Sequence, residues 1–208
     1  MTDWITIANY IAAHWLEILG AVTAVIGIWL TTRRSLACWP IILISDIACL
    51  IVVYRAQLKS DAWLQVFFIV FTLYGWWNWA RGVREEGEVR IVPLSLTGWI
   101  GGGTAGAVGS LLLGAFMQRH GAAYPYIDAA LTIYSLVASW WQARKHIANW
   151  ILWIPINLVY IGMYLRKDLK ALAVLSLVLT VLAVLGLRDW RRASQLSEVR
   201  PKAPSLAS

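Results

Sequence analysis

The chain has little charge for its length. Of its 208 residues, 14% are charged and 60% are hydrophobic, and the mean hydropathy is +0.63. A soluble domain carries roughly 25% charged residues. The shortage of charge excludes a soluble globular domain and indicates an integral membrane protein.

Cysteine is also scarce, and the two that occur, Cys38 and Cys49, fall in one predicted helix. At about 1.5 Å of rise per residue their Cα atoms lie ~16 Å apart, whereas a disulfide needs less than ~7 Å. We therefore interpret both as apolar packing residues.

The motifs of common enzymes are missing as well. His14, His120 and His146 lie at predicted helix ends without metal-ligand spacing, and the sequence has no phosphate-binding glycine loop and no nucleophile elbow. The sequence predicts neither a catalytic residue nor a metal, and no cofactor is expected.

Long apolar runs are abundant, and they predict an all-α membrane protein with seven transmembrane helices. A spanning helix needs roughly 20 mostly apolar residues. We expect a first unit at 14–80, a linker helix at 94–117, a second unit at 127–190 and a disordered cytoplasmic tail at 191–208. The predicted helices are 14–31, 36–54, 62–80, 94–117, 127–143, 147–165 and 169–188.

The net charge of +7 follows the topology of a membrane protein, so no nucleic-acid partner is expected. The segments after helices 1, 3, 5 and 7 hold twelve Lys and Arg residues, five of them in the tail, and the opposite side holds six. The positive-inside rule then predicts a cytoplasmic C-terminus and an N-terminus outside.

The chain aligns with itself at an offset of 111 residues. This predicts two three-helix copies joined by the fourth helix. The offset spans four crossings, so both copies keep one orientation, as in transporters whose site lies between parallel repeats. Matched landmarks include Glu17 with Asp128, Trp39 with Trp150, Asp46 with Asn157, Gly75 with Gly186, and Trp79 with Trp190.

The fourth helix carries a small residue at every fourth position. Such a pattern lets another helix approach closely, so we expect this helix to pack on a repeat or to form a subunit interface. The positions are Gly98, Gly102, Gly106, Ser110 and Gly114.

Polar and aromatic side chains recur along one face of several helices, which predicts a hydrophilic cavity between them. Indole faces, indole N–H groups, amides and a carboxylate suit a flat, polar-edged, cationic ring. An aromatic belt at the membrane interface is the alternative, and it is favoured for Trp190. The predicted substrate-binding residues are Trp39, Asp46, Gln65, Thr72, Trp76, Asn78, Trp79, Trp150, Trp153 and Asn157.

Two carboxylates near the outer ends of helices 1 and 5 form a matched pair, Glu17 and Asp128. Carboxylates in or beside membrane spans are functional candidates. We predict a gating or structural role for this pair, with direct contact to a ligand as the alternative.

Short blocks along residues 15–192 carry a family resemblance, above all Tyr74-Gly75-Trp76-Trp77-Asn78-Trp79 and Asn149-Trp150. Through them the chain resembles the PnuC family of vitamin B3 precursor transporters, which carry nicotinamide riboside. The family often has an acidic residue where Asn157 stands and Gln where Asn78 stands.

The resemblance implies a three-plus-one-plus-three helix arrangement like that of the SWEET sugar transporters. It also implies a homotrimer in the bacterial inner membrane and facilitated diffusion of nicotinamide riboside, which cytoplasmic phosphorylation then traps. Related members carry thiamine, riboflavin or deoxynucleosides. Another flat vitamin as the substrate, or a membrane sensor that binds a vitamin without moving it, are the alternatives.

Overall fold

The computed structural model describes residues 2–57 and 59–199, and this part of the chain forms seven helices, as predicted. α1 has a break in helical geometry at His14, where the predicted first span begins. The helices are α1 Thr2–Thr32, α2 Cys38–Arg55, α3 Lys59–Glu86, α4 Leu96–Arg119, α5 Pro125–Ala143, α6 Ala148–Arg166 and α7 Lys170–Val199.

Five helices are long and apolar enough to cross a membrane. They are Ala12–Thr32 within α1, all of α2, α4 and α6, and Lys170–Leu196 within α7. α3 and α5 are less apolar because tryptophan, amide and hydroxyl side chains interrupt their apolar runs. The all-helical fold class is confirmed.

Six of the helices form a closed ring, and α4 lies outside it. Around the ring, α1 contacts α2, α2 contacts α3, α3 contacts α5, α5 contacts α6, α6 contacts α7, and α7 returns to α1. Among the described helices, α4 packs on α5 alone. We call α1–α3 unit 1 and α5–α7 unit 2. Exchanging the units leaves every contact in the ring with a counterpart.

Glycines bring α4 close to α5. A Cβ added at Gly102 would overlap the ring of Trp141, and one added at Gly106 would overlap the ring of Tyr134. The two helices therefore approach at a distance that larger residues would not allow. The small residues of α4 were predicted either to pack on a three-helix unit or to form a subunit interface, and Gly102 and Gly106 have the first of these roles.

Four tryptophans form a buried chain across the ring, which we call the tryptophan chain. Trp39 meets Trp79 with ring centroids 5.2 Å apart, Trp79 meets Trp190 at 5.7 Å, and Trp190 meets Trp150 at 5.4 Å. All four are at most 2% exposed. The interpretation of Trp190 as an aromatic-belt residue is therefore wrong, because its ring is fully enclosed by protein.

The two central tryptophans also join the units by hydrogen bonds. The indole N–H of Trp79 donates to the carbonyl oxygen of Gln142 on α5, at 3.2 Å. The indole N–H of Trp190 donates to the carbonyl oxygen of Thr31 on α1, at 3.1 Å. Each indole is a second donor to a carbonyl in the last turn of a helix, since Gln142 also accepts from the N–H of Lys145 and Thr31 from the N–H of Arg34, both at 3.0 Å.

The segment between α3 and α4 covers the same end of the ring. Val89 and Ile91 are buried in the cluster that holds the tryptophan chain. The N–H of Val92 donates to the carbonyl oxygen of Lys145 at 3.0 Å, and Nδ1 of His146 bonds the carbonyl oxygen of Val92 at 3.1 Å. The segment between α3 and α4 is therefore held by hydrogen bonds against the loop between α5 and α6, and it links the end of unit 1 to unit 2.

The C-terminal helix is longer than predicted. Residues 191–199 continue α7, whereas the sequence predicted a disordered tail from 191 to 208. Arg, Gln and Leu are good helix formers, and the first helix breaker after Arg191 is Pro201. The rest of the predicted tail, from residue 200, lies outside the described residues.

Candidate functional site

A cavity of about 310 Å³ lies inside the ring. Every ring helix contributes to its wall. Pockets that hold small molecules typically measure ≈ 300–1,000 Å³. This cavity is therefore large enough for a small ligand and sits where the two units face each other.

Seven of the ten predicted binding residues line this cavity. They come from α2, α3 and α6, three of the helices on which the sequence placed a polar and aromatic face. The seven are Trp39, Asp46, Gln65, Thr72, Trp150, Trp153 and Asn157.

The other three predicted binding residues lie elsewhere, which corrects the sequence-based prediction. Trp76 is 38% exposed and does not line the cavity. Asn78 donates to the carbonyl oxygen of Ala143 at 2.9 Å, so its amide joins the two units. Trp79 lies behind Trp39 in the tryptophan chain and supports the cavity wall without reaching it.

The matched carboxylates Glu17 and Asp128 do not line the cavity either. Glu17 is exposed and pairs with His14, with 3.1 Å between its Oε2 and the histidine Nδ1. Asp128 is half-buried in the first turn of α5 and lies close enough to Tyr160 to interact with it electrostatically. Their gating or structural role remains a prediction.

One carboxylate gives the cavity its charge. Thr72 donates from its hydroxyl to Oδ2 of Asp46 at 2.7 Å, which fixes the carboxylate on the wall. Among the described residues that line the cavity there is no lysine, arginine or histidine. A carboxylate held in an otherwise uncharged, partly apolar cavity favours a cation and opposes an anion.

Asn157 stands at the matched position of unit 2. Its Nδ2 donates to the carbonyl oxygen of Trp153 at 2.8 Å. This bond fixes the amide and leaves its side-chain oxygen as an acceptor. The two units thus offer a carboxylate on one side and an amide on the other.

Three indole N–H groups at this site have no hydrogen-bond partner within the described part of the chain. They belong to Trp39, Trp150 and Trp153, and all three nitrogen atoms are buried. A buried donor without a partner costs about 1–3 kcal/mol, so such groups are rare and call for an explanation. All three residues line the cavity with other atoms of their side chains, and a ligand oxygen becomes an acceptor for one of these N–H groups once that indole turns toward the cavity.

Sequence reasoning did not include several other lining residues in the binding set. Ser139 and Gln142 lie on the polar face of the fifth predicted helix, which was a usable signal. Ser45 lines the cavity but donates to the carbonyl oxygen of Gly20 at 2.8 Å, a role in helix packing. Cys49 carries no sequence signal of its own.

The lining contains residue pairs separated by 111 positions, one member from each unit. One pair repeats the residue type, and two pairs place a polar residue in one unit opposite an apolar residue in the other. The pairs are Ile28 with Ser139, Trp39 with Trp150, Ile42 with Trp153, Asp46 with Asn157, Phe68 with Leu179, and Thr72 with Ala183.

A ring of apolar helices around a small, mostly apolar cavity with one carboxylate defines a class of protein, the multi-pass membrane protein with a central site for a small ligand. The solved crystal structure of the vitamin B3 transporter PnuC shares this fold, with a TM-score of 0.75 and 20% sequence identity. The alignment covers 92% of this chain and 87% of that one.

The chain belongs to the nicotinamide mononucleotide transporter family, whose model matches residues 14–192. It is 26% identical over 202 residues to the nicotinamide riboside transporter PnuC of Escherichia coli (strain K12), covering 85% of this chain and 84% of that protein. It is 25% identical over 181 residues to the riboflavin/roseoflavin transporter RibM of Streptomyces davaonensis, with the same coverage. The resemblance to the PnuC family is confirmed, and these relatives are named as transporters and not as enzymes.

Proposed function

We propose that this chain carries nicotinamide riboside across the bacterial inner membrane by facilitated diffusion through the cavity inside the ring. The observation that carries the proposal is the chemistry of the wall, which combines one carboxylate, no basic residue and three tryptophans with free indole N–H groups. Nicotinamide riboside has a flat cationic ring, a carboxamide and ribose hydroxyls, and each meets a suitable partner there.

The pyridinium ring is the part of the substrate that the tryptophans recognise. Indole faces attract a cation by about 0.5–2 kcal/mol, more when water is excluded. Of the three lining tryptophans, Trp153 is half-buried and offers such a face, whereas Trp39 and Trp150 are at most 2% exposed. Asp46 adds a negative charge on the same wall. The amide oxygen of Asn157 and the side chain of Gln65 are left for the ribose hydroxyls.

The same wall argues against a phosphorylated substrate, although the family is described by the mononucleotide. A phosphate group that leaves water needs arginine, lysine or a cluster of N–H donors to replace its hydration. The wall offers Asp46 instead, whose charge repels a phosphate. We therefore assign the nucleoside and not the nucleotide.

Riboflavin is the second candidate, because a riboflavin transporter is among the similar proteins. Its ring system is flat and accepts hydrogen bonds, so indole N–H groups suit it. It carries no positive charge and leaves Asp46 without a partner. Thiamine, a flat cation, fits the charge but offers fewer hydroxyl groups.

The mechanism that we infer is a rocking of two parallel three-helix units about the central site, in a three-plus-one-plus-three arrangement. The ring contacts exchange between units, and hydrogen bonds from Asn78, Trp79 and Trp190 join the units at one end. That end carries the basic loops, so the positive-inside rule places it, with the C-terminus, in the cytoplasm. Opening to the cytoplasm requires these contacts to part.

The rest of the assignment follows the resemblance. We infer a homotrimer with one cavity in each protomer and no ion coupling, because the cavity wall holds a single carboxylate and no basic residue to pair with it. Glu17 and Asp128, the matched pair outside the cavity, are assigned to its outer mouth as gating or structural residues.

Uptake by purified protein in liposomes tests the function. Labelled nicotinamide riboside should enter until the gradient is spent, and excess unlabelled riboside should compete while the mononucleotide does not. Empty liposomes are the control. Collapse of proton or sodium gradients should leave uptake unchanged.

Other outcomes contradict the proposal in distinct ways. Competition by riboflavin or thiamine that exceeds that of the riboside would reassign the substrate. Binding of the riboside without any accumulation of label would indicate a sensor. Loss of uptake on collapse of an ion gradient would exclude facilitated diffusion.

A further inference from the structure

A second concave surface lies outside the ring, in a groove of about 780 Å³ between α4, α5 and the segment that precedes α4. It is a different pocket from the central cavity, and the two share one lining residue, Phe71 of α3. Its sides are largely apolar, with Leu136 and Val137 on α5 and the backbone of Gly101 and Gly102 on α4. In a membrane protein, an apolar groove on the outer surface faces lipid chains.

One end of the groove carries a fixed positive charge. Arg144 lies there, with its guanidinium carbon 5.4 Å from the centroid of the Trp140 ring. Trp140 is itself stacked on Tyr74, with ring centroids 5.1 Å apart. A guanidinium over an aromatic ring keeps its charge, and N–H groups that do not point at the ring remain for an anion.

The neighbouring His146 adds no fixed charge. Burial lowers the pKa of its imidazole below the usual value, and Arg144 lowers it further, while the bond to the Val92 carbonyl opposes the shift. The positive charge at this end therefore belongs to Arg144.

We propose that this groove is a binding site for one anionic phospholipid, with its phosphate on Arg144 and an acyl chain along the face of α4 and α5. The occupant follows from charge and setting. The walls of the groove are apolar along most of its length, and Arg144 at the end of α5 is the one fixed cation among its lining residues. This end of the groove lies on the side assigned to the cytoplasm, where anionic lipids concentrate. Basic pockets between membrane helices suit such headgroups.

The internal symmetry of the molecule supplies a matched control. Arg33 is 111 residues before Arg144 and lies 5.4 Å from the centroid of Trp29, the same stacking at the same end of unit 1. Both arginines are exposed. Arg33 has no counterpart of α4 beside it, because α4 packs on α5 and not on α1. General attraction to an anionic surface acts on both arginines, and the proposed site requires Arg144 alone.

The groove itself can be filled without disturbing the fold. A Cβ added at Gly101 meets nothing within 4 Å, and the same holds for Gly103, which does not line the groove. Gly101→Phe should occupy the path of the acyl chain, and Gly103→Phe is the matched control.

Native mass spectrometry tests the site, on full-length protein extracted from vesicles of equal phosphatidylglycerol and phosphatidylcholine. The unchanged protein should retain phosphatidylglycerol in preference to phosphatidylcholine. Arg144→Gln should lower this retention about fivefold, the effect of roughly one charge near an anionic surface. Arg33→Gln and Gly103→Phe should leave it unchanged, and Gly101→Phe should abolish it.

Two results would overturn the proposal. Equal losses in Arg33→Gln and Arg144→Gln, or full retention in Gly101→Phe, would reduce the effect to surface charge. If Gly101→Phe or Arg144→Gln dissociates an oligomer while lipid retention is unchanged, the groove holds a second copy of the chain instead.

Discussion

At the end of the ring that carries the basic loops, the two units repeat each other's contacts closely. Trp39 meets Trp79 edge to face at 5.2 Å and 86°, and Trp150 meets Trp190 at 5.4 Å and 86°. The glycines that allow this also match. A Cβ at Gly75 would overlap the ring of Trp39, and one at Gly186 would lie 2.6 Å from the ring of Trp150.

At the cavity, the same two units differ. Asp46 in unit 1 accepts a hydrogen bond from Thr72. In unit 2 the matched positions hold Asn157 and Ala183, so α7 offers no hydroxyl there, and the amide donates to the carbonyl oxygen of Trp153.

The two units are therefore alike in the packing contacts that support the ring and unlike in the polar side chains that line the cavity. Matched contacts keep the two units alike where they pack and move, and unlike side chains make the cavity asymmetric. A substrate with a charged end and a hydroxyl-rich end therefore has one favoured orientation.

The largest predicted effect is a loss of folding stability, and it is expected at the matched tryptophan contacts of the two units. Trp79→Ala and Trp190→Ala each remove a ring with 0% exposure and a hydrogen bond between the units. Each should lower the free energy of unfolding by about 3–5 kcal/mol, the usual cost of a large buried aromatic residue. The two costs should agree within error when denaturant titrations are compared in one detergent.

Trp63→Ala is the control for that comparison, because Trp63 is 69% exposed and its loss should cost little. If one of the two buried tryptophans proves dispensable while the other does not, the scaffold is not equivalent in the two units, and the rocking mechanism loses its support.

The helical ring was largely predictable from sequence, for physical reasons that can be stated. Hydropathy locates helices because the hydrocarbon core sets their minimum length. The offset of 111 residues also predicted which residues correspond, and Trp39 and Trp150 do make matched contacts.

Helical spacing did not predict how far along the axis of the ring, and so how close to the cavity, a residue would lie. Gln65, Thr72 and Trp79 share one face of α3, but Trp79 lies ~21 Å along the axis from Gln65 at about 1.5 Å per residue. Helical period specifies the face of a residue and not whether the cavity extends that far. Trp79 consequently supports the wall from behind, and the groove beside α4 had no signal in the sequence at all.

A smaller effect, on binding alone, is expected from the charge that distinguishes the units. Asp46→Asn should weaken binding of nicotinamide riboside about 10- to 100-fold, since it removes the negative charge that attracts the pyridinium, and opposite charges ~4 Å apart near a protein surface attract by up to about 4 kcal/mol. Isothermal titration calorimetry measures the change. The double variant Asp46→Asn with Asn157→Asp moves the charge to unit 2 and should recover part of the affinity.

Recovery in the double variant would mean that the scaffold accepts the substrate in the reversed orientation. If Asp46→Asn alone retains full affinity, the carboxylate does not contact the cation, and the assignment of a cationic substrate fails.

The smallest effect concerns a donor that unit 1 lacks, since Trp153 is matched by Ile42. Trp153→Phe keeps an aromatic face and removes an N–H that has no partner among the described residues. Folding stability should therefore stay the same or rise slightly, because a buried unpaired donor is lost. Binding of nicotinamide riboside should weaken about 2- to 10-fold, the value of one neutral hydrogen bond of about 0.5–1.5 kcal/mol. Ile42→Val, which removes only one methyl group from the matched residue of unit 1, is the control and should weaken binding less than Trp153→Phe does. A larger loss of binding in Ile42→Val than in Trp153→Phe would mean that unit 1, and not Trp153, recognises this part of the substrate.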